Sequence, residues 1–541
     1  MIPFLSILWL LRTAAALSQS TYYWQLKEYR WDRMKEFLFQ QGGKNFFINT
    51  FHLLALVLVF VYGAFWVFDL PGEEGFLQWF PLVVAVLFLA EVLQDFHTVL
   101  LRKFRRPRPT AKALMIFSST FLIELACLAL FWWSMSGDPT IDAIAFFLLF
   151  FVAVEHDIHA AVVGVFNRMS RFAKRRIFHQ AQAKRLGMKE LKVIGITGSY
   201  GKSSVKEYLS HILAEDFRVL KTQKNTNTEI GIAQTILKDL KEDHEVFVCE
   251  MGAYSRGEIG LCCQIAVPQI GVFTGLNDQH AALFGSIDHT FQAKWELIQA
   301  LPKDGLAVFN GDSAELKSRL KPSEVRSVVC STVHGDAVAQ DIKVHQDSIE
   351  FRYKGRVFTA SLLGSFQVVN LLMCIVVAES LGLSLERIAQ RISSLAAPDK
   401  TMTLLTFSRG YIIDDSYNVN SDGLQEALTH LQRFEGYHRV LFFPGILELG
   451  EASPSLHERF GELISHHVDD VFFTDSSFSQ YLTAGALKGG LGRSHIFEVQ
   501  DQQEMIHSLQ KLLEGRSQER FVILFESRGA EKVMEWLGRG E

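Results

Sequence analysis

A lysine and a serine that directly follow a glycine are the residues in this sequence whose types and spacing most clearly indicate a chemical function. The segment Thr197–Ser204 reads TGSYGKSS and directly follows the apolar run Leu191–Ile196. Backbone N–H groups of such a loop, at the start of a helix, favour bound phosphate. The Lys202 ammonium can reach the β- and γ-phosphates of a nucleotide, and the Ser203 hydroxyl can ligate Mg²⁺. The segment therefore predicts a nucleotide phosphate site.

Two elements must position this loop. Leu191–Ile196 is short, apolar and β-branched, which is typical of a buried parallel strand. After the loop, a helical spacing puts five apolar residues on one face: Val205, Tyr208, Leu209, Ile212 and Leu213. The strict phosphate-loop motif has glycine at position 196, where this chain has isoleucine. The strand, loop and helix together nevertheless favour phosphate binding over a chance Gly-Lys-Ser.

Further motifs follow in a fixed order along the chain. They are NTNTEIG at 225–231, VFVCEM at 246–251, His280, AKWE at 293–296, VFNGD at 308–312 and DDSYN at 414–418. Together with the phosphate loop they resemble the Mur ligase family, and most closely its members that add D-alanyl-D-alanine to a UDP-muramoyl tripeptide. The resemblance covers about 190 to 535. A helical membrane domain stands where the family has its UDP-binding domain.

The resemblance implies a set of site residues, together with ATP, two Mg²⁺ ions and a carbamylated Lys294 as cofactors. Catalytic roles fall on Lys202, Lys294, His280 and Asn418. ATP contacts fall on Thr197, Gly198, Ser199, Tyr200, Gly201, Lys202, Ser203, Ser204, Asn310 and Asp415. Metal ligands are Ser203, Glu250 and His280, and substrate contacts are Asn225, Thr226, Ser527 and Arg528.

Three segments depart from the family pattern. Ser365, Phe366 and Gln367 stand where the family has Arg-His-Asn near the adenine. Phe525 and Glu526 replace a Lys-Gly pair before Ser527 and Arg528, in the loop that binds the amino-acid or dipeptide donor. Lys400 replaces an arginine, and a lysine lacks the bidentate geometry of a guanidinium. These changes leave the identity of the amine donor open.

The first 170 residues are dominated by long apolar runs. Four runs are long enough to cross a membrane as helices, at 46–70, 77–101, 113–135 and 141–166. A fifth, 2–17, predicts an uncleaved membrane or interfacial helix. Basic segments at 27–44, 102–112 and 168–185 alternate with acidic loops near Glu73 and Asp138. Because positive loops stay cytoplasmic, the residues after 170 are expected in the cytoplasm.

Ionisable residues interrupt these apolar runs: Glu91, Asp95, Glu124, Glu155, His156, Asp157 and His159. Asp95 and the 155–159 group are expected near helix ends, facing head groups or water. Glu91 and Glu124 lie deeper and are candidates for a lipid or partner contact. The arginine-rich segment 102–108 is a further candidate for binding anionic membrane lipid.

Size and composition set the domain organisation. A chain of 541 residues is too long to fold around a single hydrophobic core. Its net charge of -5 gives no overall positive field that would attract nucleic acid. The six cysteines have no zinc-site spacing. The prediction is a multi-domain chain: a transmembrane α-helical domain at 1–180, a central α/β P-loop ATPase domain at 187–398, and a C-terminal Rossmann-like α/β domain at 399–541.

The sequence predicts an ATP-dependent amide-bond ligase that acts through an acyl phosphate, anchored in a bacterial inner membrane by several spans. The acceptor would be a lipid-linked or nucleotide-linked muropeptide carboxylate, and the donor an amino acid or dipeptide. A ligase for another polymer, such as poly-glutamate or a capsule peptide, is a second hypothesis. A non-catalytic nucleotide-binding membrane scaffold is a third.

Overall fold

The chain forms two compact units, Met1–Arg175 and Arg176–Glu541. The computed structural model describes residues 1–39, 49–68, 73–101, 104–134, 140–223, 226–253, 255–277, 286–321, 324–417, 419–446 and 453–538.

The first unit is helical throughout its described elements. Its helices are Ile2–Leu26, Trp31–Phe39, Thr50–Phe68, Glu73–Leu100, Ala111–Ser134 and the beginning of Ile141–Gly187. Apolar side chains from several of these helices, including Trp9, Phe80, Phe88 and Leu148, are buried together in one core. Three helical segments are long and apolar enough to cross a membrane by length and composition: Ile2–Leu26, Gln78–Leu100 and Ala111–Ser134.

Two helices extend well beyond the ends that the sequence predicts. The first helix continues from the predicted end at Leu17 to Leu26. The helix that begins at Ile141 spans 47 residues and ends at Gly187, well beyond the predicted end at Phe166. The additional segment is rich in Arg, Lys, Ala and Gln, which have high helix propensity, so the helix continues after the apolar stretch ends.

The expectation that residues 155–159 face water near a helix end is wrong for two of them. Glu155 and His159 are fully buried in the interior of their helix, whereas Asp157 is exposed. The Arg12 guanidinium pairs with both Glu91 and Glu155. His159 lies 3.3 Å from the Thr21 hydroxyl. These partners come from distant parts of the sequence, so helical periodicity alone could not identify them.

The second unit contains a parallel sheet that positions the phosphate loop. Its strands are β1 (Lys192–Thr197), β2 (Val219–Lys221), β3 (Val246–Glu250), β4 (Ile270–Phe273), β5 (Leu306–Asn310), β6 (Arg326–Ser331) and β7 (Ala337–Val338). They lie in the order β2-β3-β1-β4-β5-β6-β7. Helices pack on this sheet at Lys202–Leu213, Glu229–Lys238, Glu258–Ala266, Ile287–Gln299, Phe366–Ser380 and Leu385–Ser393. The predicted strand before the loop is confirmed, with bounds shifted by one residue.

A small antiparallel sheet follows the parallel one. It consists of β8 (Gln340–Val344), β9 (Ile349–Tyr353) and β10 (Arg356–Ala360). Its buried residues Phe351 and Phe358 stack at 5.4 Å between ring centroids. This sheet packs against the core of the parallel sheet. This sheet is not among the elements predicted from the sequence.

The C-terminal part contains a second α/β sheet. Its strands are β11 (Thr403–Phe407), β12 (Gly410–Asp415), β13 (Tyr437–Phe443), β14 (Asp470–Phe473), β15 (Ile496–Glu498) and β16 (Arg520–Glu526), in the order β11-β12-β16-β13-β14-β15. Only the pairing of β11 with β12 is antiparallel among these described strands. Helices Ser421–Leu431, Ser453–Ser465, Ser476–Lys488, Gln502–Gly515 and Glu531–Gly538 accompany the sheet. The predicted central and C-terminal α/β folds are both confirmed.

Candidate active site

The phosphate loop lies between the end of β1 and the helix Lys202–Leu213. Gly201 caps the helix with φ of 75°, a left-handed conformation that glycine adopts without a steric penalty. The Ser199 N–H donates to the Gly275 carbonyl at 2.8 Å. The Thr274 hydroxyl contacts the carbonyl oxygens of Thr197 and Tyr200. The loop is therefore held by the chain that follows β4.

Close packing fixes this arrangement. A Cβ atom on Gly275 would lie 2.3 Å from the Tyr200 ring, and one on Gly198 would lie 2.1 Å from the Thr274 hydroxyl. A Cβ atom on Gly201 would lie 3.2 Å from the Asn370 side chain. The glycines thus let the loop approach its neighbours more closely than other residues would allow.

The Lys202 ammonium lies inside the loop. Its Nζ donates to the carbonyl oxygens of Gly198 at 2.7 Å and Ser199 at 3.2 Å. Burial lowers the pKa of Lys202, and the nearby Glu250 carboxylate opposes that shift. A cation held against a loop of backbone N–H groups can stabilise phosphate oxygens.

Glu250, at the end of β3, contacts polar groups from two other segments, the helix Lys202–Leu213 and the residues just before the helix Glu229–Lys238. Its carboxylate accepts hydrogen bonds from the Ser203 hydroxyl at 3.0 Å and the Asn227 amide at 3.1 Å. The Lys206 ammonium lies 3.4 Å from the same carboxylate. A hydroxyl and a carboxylate at this separation offer the hard oxygen ligands that Mg²⁺ prefers. Ser203 and Glu250 therefore fit the predicted metal site.

The third predicted metal ligand, His280, lies outside the described residues, as do Asn225 and Asn418. Within the described part of the chain, no cluster of three His, Cys, Asp or Glu side chains could hold a metal ion. Of the remaining substrate predictions, Thr226 donates from its hydroxyl to the Gln223 carbonyl at 2.7 Å. Ser204 is half-buried in the first turn of the helix after the loop.

Lys294 reaches the phosphate loop from the helix Ile287–Gln299. Its Nζ donates to the Gly198 carbonyl at 2.9 Å, and the residue is only 2% exposed. Burial and the neighbouring Lys202 cation hold the pKa of Lys294 well below its usual value. A lowered pKa makes the neutral amine accessible, which is the form that reacts with carbon dioxide. The residue is therefore suited to the predicted carbamylation.

Asn310 lies at the end of β5 and supports the same loop indirectly. Its side-chain amide donates to the Thr274 carbonyl at 2.8 Å, while its side-chain oxygen accepts from the Asp312 N–H at 2.9 Å. Asn310 is 3% exposed. These contacts couple the end of β5 to the residue that holds Thr197 and Tyr200.

The C-terminal sheet brings Asp415 and Glu526 side by side, because they are register partners on β12 and β16. Asp415 accepts a hydrogen bond from the Met402 N–H at 3.1 Å. Burial raises the pKa of Asp415 to about 7. Burial and the Asp415 charge raise the pKa of Glu526 still further above its usual value. Neither Glu526 carboxyl oxygen has a hydrogen-bond partner among the described residues.

Ser527 and Arg528 follow directly and line a cavity of about 450 Å³. Tyr417, Asp475 and Phe478 also line it. The Ser527 N–H donates to the Asp415 carbonyl at 3.1 Å, which joins the cavity wall to the carboxyl pair. Because a guanidinium and a carboxylate border one cavity, it can accommodate a molecule with groups of both charge signs.

Several hydrogen bonds between described residues join the central and C-terminal parts of this unit. The Asn277 amide donates to Asp422 at 3.2 Å, and the Ser365 hydroxyl donates to Glu426 at 2.7 Å. Asp422 and Glu426 belong to the helix Ser421–Leu431, which follows the DDSYN segment. Ser365, one of the departures from the family pattern, therefore contributes to the contact between the central and C-terminal parts.

Three residues at this site were not selected from the sequence: Lys206, Asn227 and Thr274. Lys206 is one helical turn after Lys202, a spacing that places both on one side of the helix. Asn227 stands inside the recognised NTNTEIG motif. Thr274 directly follows β4, but nothing in its local sequence distinguishes it from an ordinary strand end.

The fold of the second unit and the geometry of its phosphate loop agree with matches to two protein-family domains. Residues 196–378 match the Mur ligase middle domain, and residues 402–525 match the Mur ligase, glutamate ligase domain. The chain belongs to the Mur ligase family. The two matched segments include the phosphate loop, Glu250, Lys294 and Asp415.

Similar Mur ligases are known from several bacteria. The UDP-N-acetylmuramoyl-tripeptide--D-alanyl-D-alanine ligase of Bacillus subtilis (strain 168) is 29% identical over 342 residues, which are 62% of this chain and 73% of that enzyme. The enzyme of the same name from Escherichia coli (strain K12) is 29% identical over 279 residues, 50% of this chain and 61% of its own length. This chain therefore spans less than two thirds of the Escherichia coli enzyme.

Solved Mur ligase structures share the fold of the second unit. The MurF ligase from Thermotoga maritima in complex with ADP has a TM-score of 0.59 and 25% identity, covering 68% of this chain and 83% of that one. MurF from Acinetobacter baumannii has a TM-score of 0.61 at 24% identity, with 68% and 80% covered.

Proposed function

We propose that this Mur ligase joins a carboxylate to an amine at the expense of ATP. The observation that carries the proposal is the contact of Ser203 with Glu250 at 3.0 Å beside a phosphate loop that contains Lys202. A substrate carboxylate oxygen attacks the γ-phosphorus of ATP, which gives an acyl phosphate and ADP. The amine nitrogen then attacks the acyl carbon, an amide bond forms, phosphate leaves, and the amine proton is released.

The loop residues supply charge and orientation for this reaction. Lys202 and the loop N–H groups would neutralise the charge that develops on the transferred phosphoryl group. Tyr200, Thr197 and Thr274 would hold the loop in position, because their mutual contacts fix its carbonyl groups. Asn310 would keep Thr274 in place through its hydrogen bond to the Thr274 carbonyl.

The metal and carbamate predictions fit the residues around the loop. Ser203 and Glu250 would hold Mg²⁺, with His280 as a further ligand and a second Mg²⁺ at the carbamylated Lys294. The metal would supply charge neutralisation for phosphoryl transfer. Carbamylation would convert a buried amine next to Lys202 into an anion, which the Lys202 cation would then stabilise.

For the substrates, we propose a muropeptide acceptor and D-alanyl-D-alanine as donor, as in peptidoglycan precursor synthesis. The names of the relatives from Bacillus subtilis and Escherichia coli support this choice. The acceptor would be linked either to a nucleotide or to a lipid. Asn225 and Thr226 would contact the acceptor, Asp415 and Asn418 the nucleotide and the reacting phosphate, and Ser527 and Arg528 the donor.

A different amine donor is the second candidate, and Glu526 is the observation that favours it. This buried carboxyl directly precedes Ser527 and Arg528, in place of the small residue of the family pattern. It adds a negative or proton-donating group next to the proposed donor site. An amino acid of another polymer, such as glutamate, is therefore a candidate donor.

We further propose that Met1–Arg175 anchors the enzyme in the bacterial inner membrane, with the ligase domains in the cytoplasm. Contacts within the helical unit support the proposal that its basic segments lie together at one end. The Gln25 side chain bonds the backbone of Arg108, and Lys112 donates to Asn167, which in turn donates to the Tyr29 carbonyl. The three basic segments thus meet at one end, as the preference of basic loops for the cytoplasm requires.

The test uses the purified full-length protein in lipid nanodiscs with ATP, UDP-muramoyl tripeptide or its lipid-linked form, and D-alanyl-D-alanine or glutamate. Mass spectrometry should identify the amide product, and phosphate release should equal it in amount. Lys202→Ala should abolish both, whereas the exposed Lys303→Ala should leave both unchanged. Absence of product with every acceptor and donor pair, in a protein that still releases phosphate from ATP, would refute the ligase proposal.

A further inference from the structure

The helical unit contains an open polar cavity of about 360 Å³ that the ligase reaction does not use. Carboxylates from three residues line it: Glu91, Asp95 and Glu155. Two arginines, Arg12 and Arg105, border it as well. Ionisable groups at this depth of an apolar helical bundle are costly to bury, and they usually serve a function.

The arginine at the inner end is already neutralised. Arg12 is 5% exposed, and its guanidinium pairs with Glu91 through Nε and with Glu155 through Nη1. One positive charge thus faces two carboxylates, which leaves an excess of negative charge. The inner end therefore attracts a cation or a hydrogen-bond donor.

One carboxyl oxygen at this inner end is unsatisfied. Glu155 bonds Arg12 through Oε2, but its Oε1 has no hydrogen-bond partner among the described residues. The Glu155 side chain is only 1% exposed. An unsatisfied buried carboxylate oxygen carries a desolvation penalty, so a donor that enters the cavity would be stabilised there.

Asp95 extends the acceptor surface toward the basic end of the unit. Its Oδ1 accepts a hydrogen bond from the Gln19 amide at 3.2 Å. Because that amide is neutral, the Asp95 charge is not cancelled by its partner. Asp95 and Glu155 therefore present acceptors to the cavity from two different helices.

The other end of the cavity is positive. Arg105 is exposed, and its Nη1 donates to the Tyr23 hydroxyl at 3.3 Å. The Arg105 guanidinium lies 5.8 Å from the centre of the Tyr23 ring. A phenol and an aromatic ring hold the guanidinium without neutralising it, so Arg105 can still bind an anion.

We propose that this cavity binds a zwitterion in which a primary ammonium is linked to a phosphate. The ammonium would donate to Glu155 Oε1 and Asp95, and the phosphate would contact Arg105. An ammonium carries three N–H donors, whereas a trimethylammonium of equal charge carries none. The molecule is either the head group of an ethanolamine phospholipid or a free phosphoethanolamine. This proposal does not depend on the ligase reaction, because it concerns binding to the helical unit.

The test compares full-length protein in nanodiscs of phosphatidylethanolamine with nanodiscs of phosphatidylcholine, each mixed with the same fraction of phosphatidylglycerol. After transfer to mild detergent, native mass spectrometry counts the lipids that each protein retains. The wild-type protein should retain phosphatidylethanolamine about tenfold more than phosphatidylcholine. Calorimetry with phosphoethanolamine, on protein in phosphatidylcholine nanodiscs, forms the second arm. Binding in only one arm identifies the source of the ligand, and binding in either arm supports the proposal.

Glu155→Gln should remove the preference for the primary ammonium, and the readout is the ratio of the two lipids, which a general loss of folding would not shift selectively. Arg105→Gln changes an exposed residue and should weaken retention of both lipids without loss of folding. Glu124→Gln is the matched control, because Glu124 is a buried helical carboxyl that does not line the cavity. Equal retention of both lipids by the wild-type protein, together with no binding of phosphoethanolamine, would overturn the proposal.

Discussion

The Lys294 ammonium donates to the Gly198 carbonyl at 2.9 Å, although the two residues stand 96 positions apart in the sequence. This contact brings an amine with a lowered pKa against Lys202. Two adjacent buried ammonium groups repel each other, so loss of the Lys294 charge is favourable. The repulsion therefore favours the neutral amine form of Lys294 at this buried position.

Lys294→Ala should lower the turnover number of the ligase by about 100-fold, because the site would lose the anion that the proposed carbamylation supplies. Added acetate should restore part of the activity, since it supplies a carboxylate of similar size to the cavity that the substitution creates. Steady-state rates of phosphate release, with and without acetate, measure the effect. Lys303→Ala serves as control, because the Lys303 side chain is 88% exposed. An unchanged rate in Lys294→Ala would refute the carbamate role.

Glu250→Gln should raise the Mg²⁺ concentration needed for half-maximal activity by about tenfold, because the amide is a weaker metal ligand than the carboxylate. Titration of the ligation rate with MgCl₂ measures this. Glu242→Gln, at an exposed position before β3, should follow the wild-type titration. Identical curves for wild type and Glu250→Gln would exclude Glu250 from the proposed Mg²⁺ site.

Gly275→Ala should weaken ATP binding by about tenfold, because the new methyl group would displace Tyr200 and the loop with it, and overpacking of this kind costs about 1–3 kcal/mol. Equilibrium binding of a fluorescent ATP analogue measures the loss. Gly515→Ala provides the matched control, since nothing lies within 4 Å of a Cβ atom there. Equal affinities for the two variants would show that the loop tolerates the displacement.

Glu526→Gln should stabilise the protein, and the gain should increase with pH. Burial raises the pKa of Asp415 in the folded protein to about 7, above its value in the unfolded chain. The folded state is therefore favoured by protonation of Asp415 below the unfolded pKa, and this contribution to stability is lost as the pH rises through about 7. Removal of the adjacent Glu526 acid relieves repulsion between the two carboxylates and the cost of ionising a buried group.

The thermal midpoint of Glu526→Gln, relative to wild type, should therefore be higher at pH 8 than at pH 5. Tryptophan fluorescence of the full-length protein follows the transition at both values. Glu514→Gln, an exposed change in the helix Gln502–Gly515, should give no pH-dependent difference. If the difference in thermal midpoint between Glu526→Gln and wild type is the same at pH 5 and pH 8, Asp415 and Glu526 do not influence each other's ionisation.

Local sequence patterns predict those parts of the fold in which near neighbours determine the structure. The β1 strand, the glycine loop and the helix from Lys202 follow from apolar spacing and from the conformational needs of Gly201. The approach of Glu250 to Ser203 follows from the resemblance, which supplies the order of the motifs. The predicted roles of His280, Asn225 and Asn418 remain predictions, because these residues lie outside the described chain.

The missed features depend on contacts between distant residues. The strands from Gln340 to Ala360 carry alternating charged and apolar residues, and their register is set by pairing with one another. Glu155 looked solvent-facing because its neighbours His156 and Asp157 are polar, but its partner Arg12 stands 143 residues earlier. Asn227 and Lys206 become functional candidates only when their distances to Glu250 are known.

Lys206 affects how strongly the metal and the nucleotide bind together. Its ammonium already balances the Glu250 carboxylate from 3.4 Å and lies 3.3 Å from Glu207. A divalent cation that approaches Glu250 must therefore compete with a resident positive charge, and the negative phosphates of a nucleotide would offset that repulsion. Metal and nucleotide should then bind with positive cooperativity, each raising the affinity of the protein for the other by the same factor.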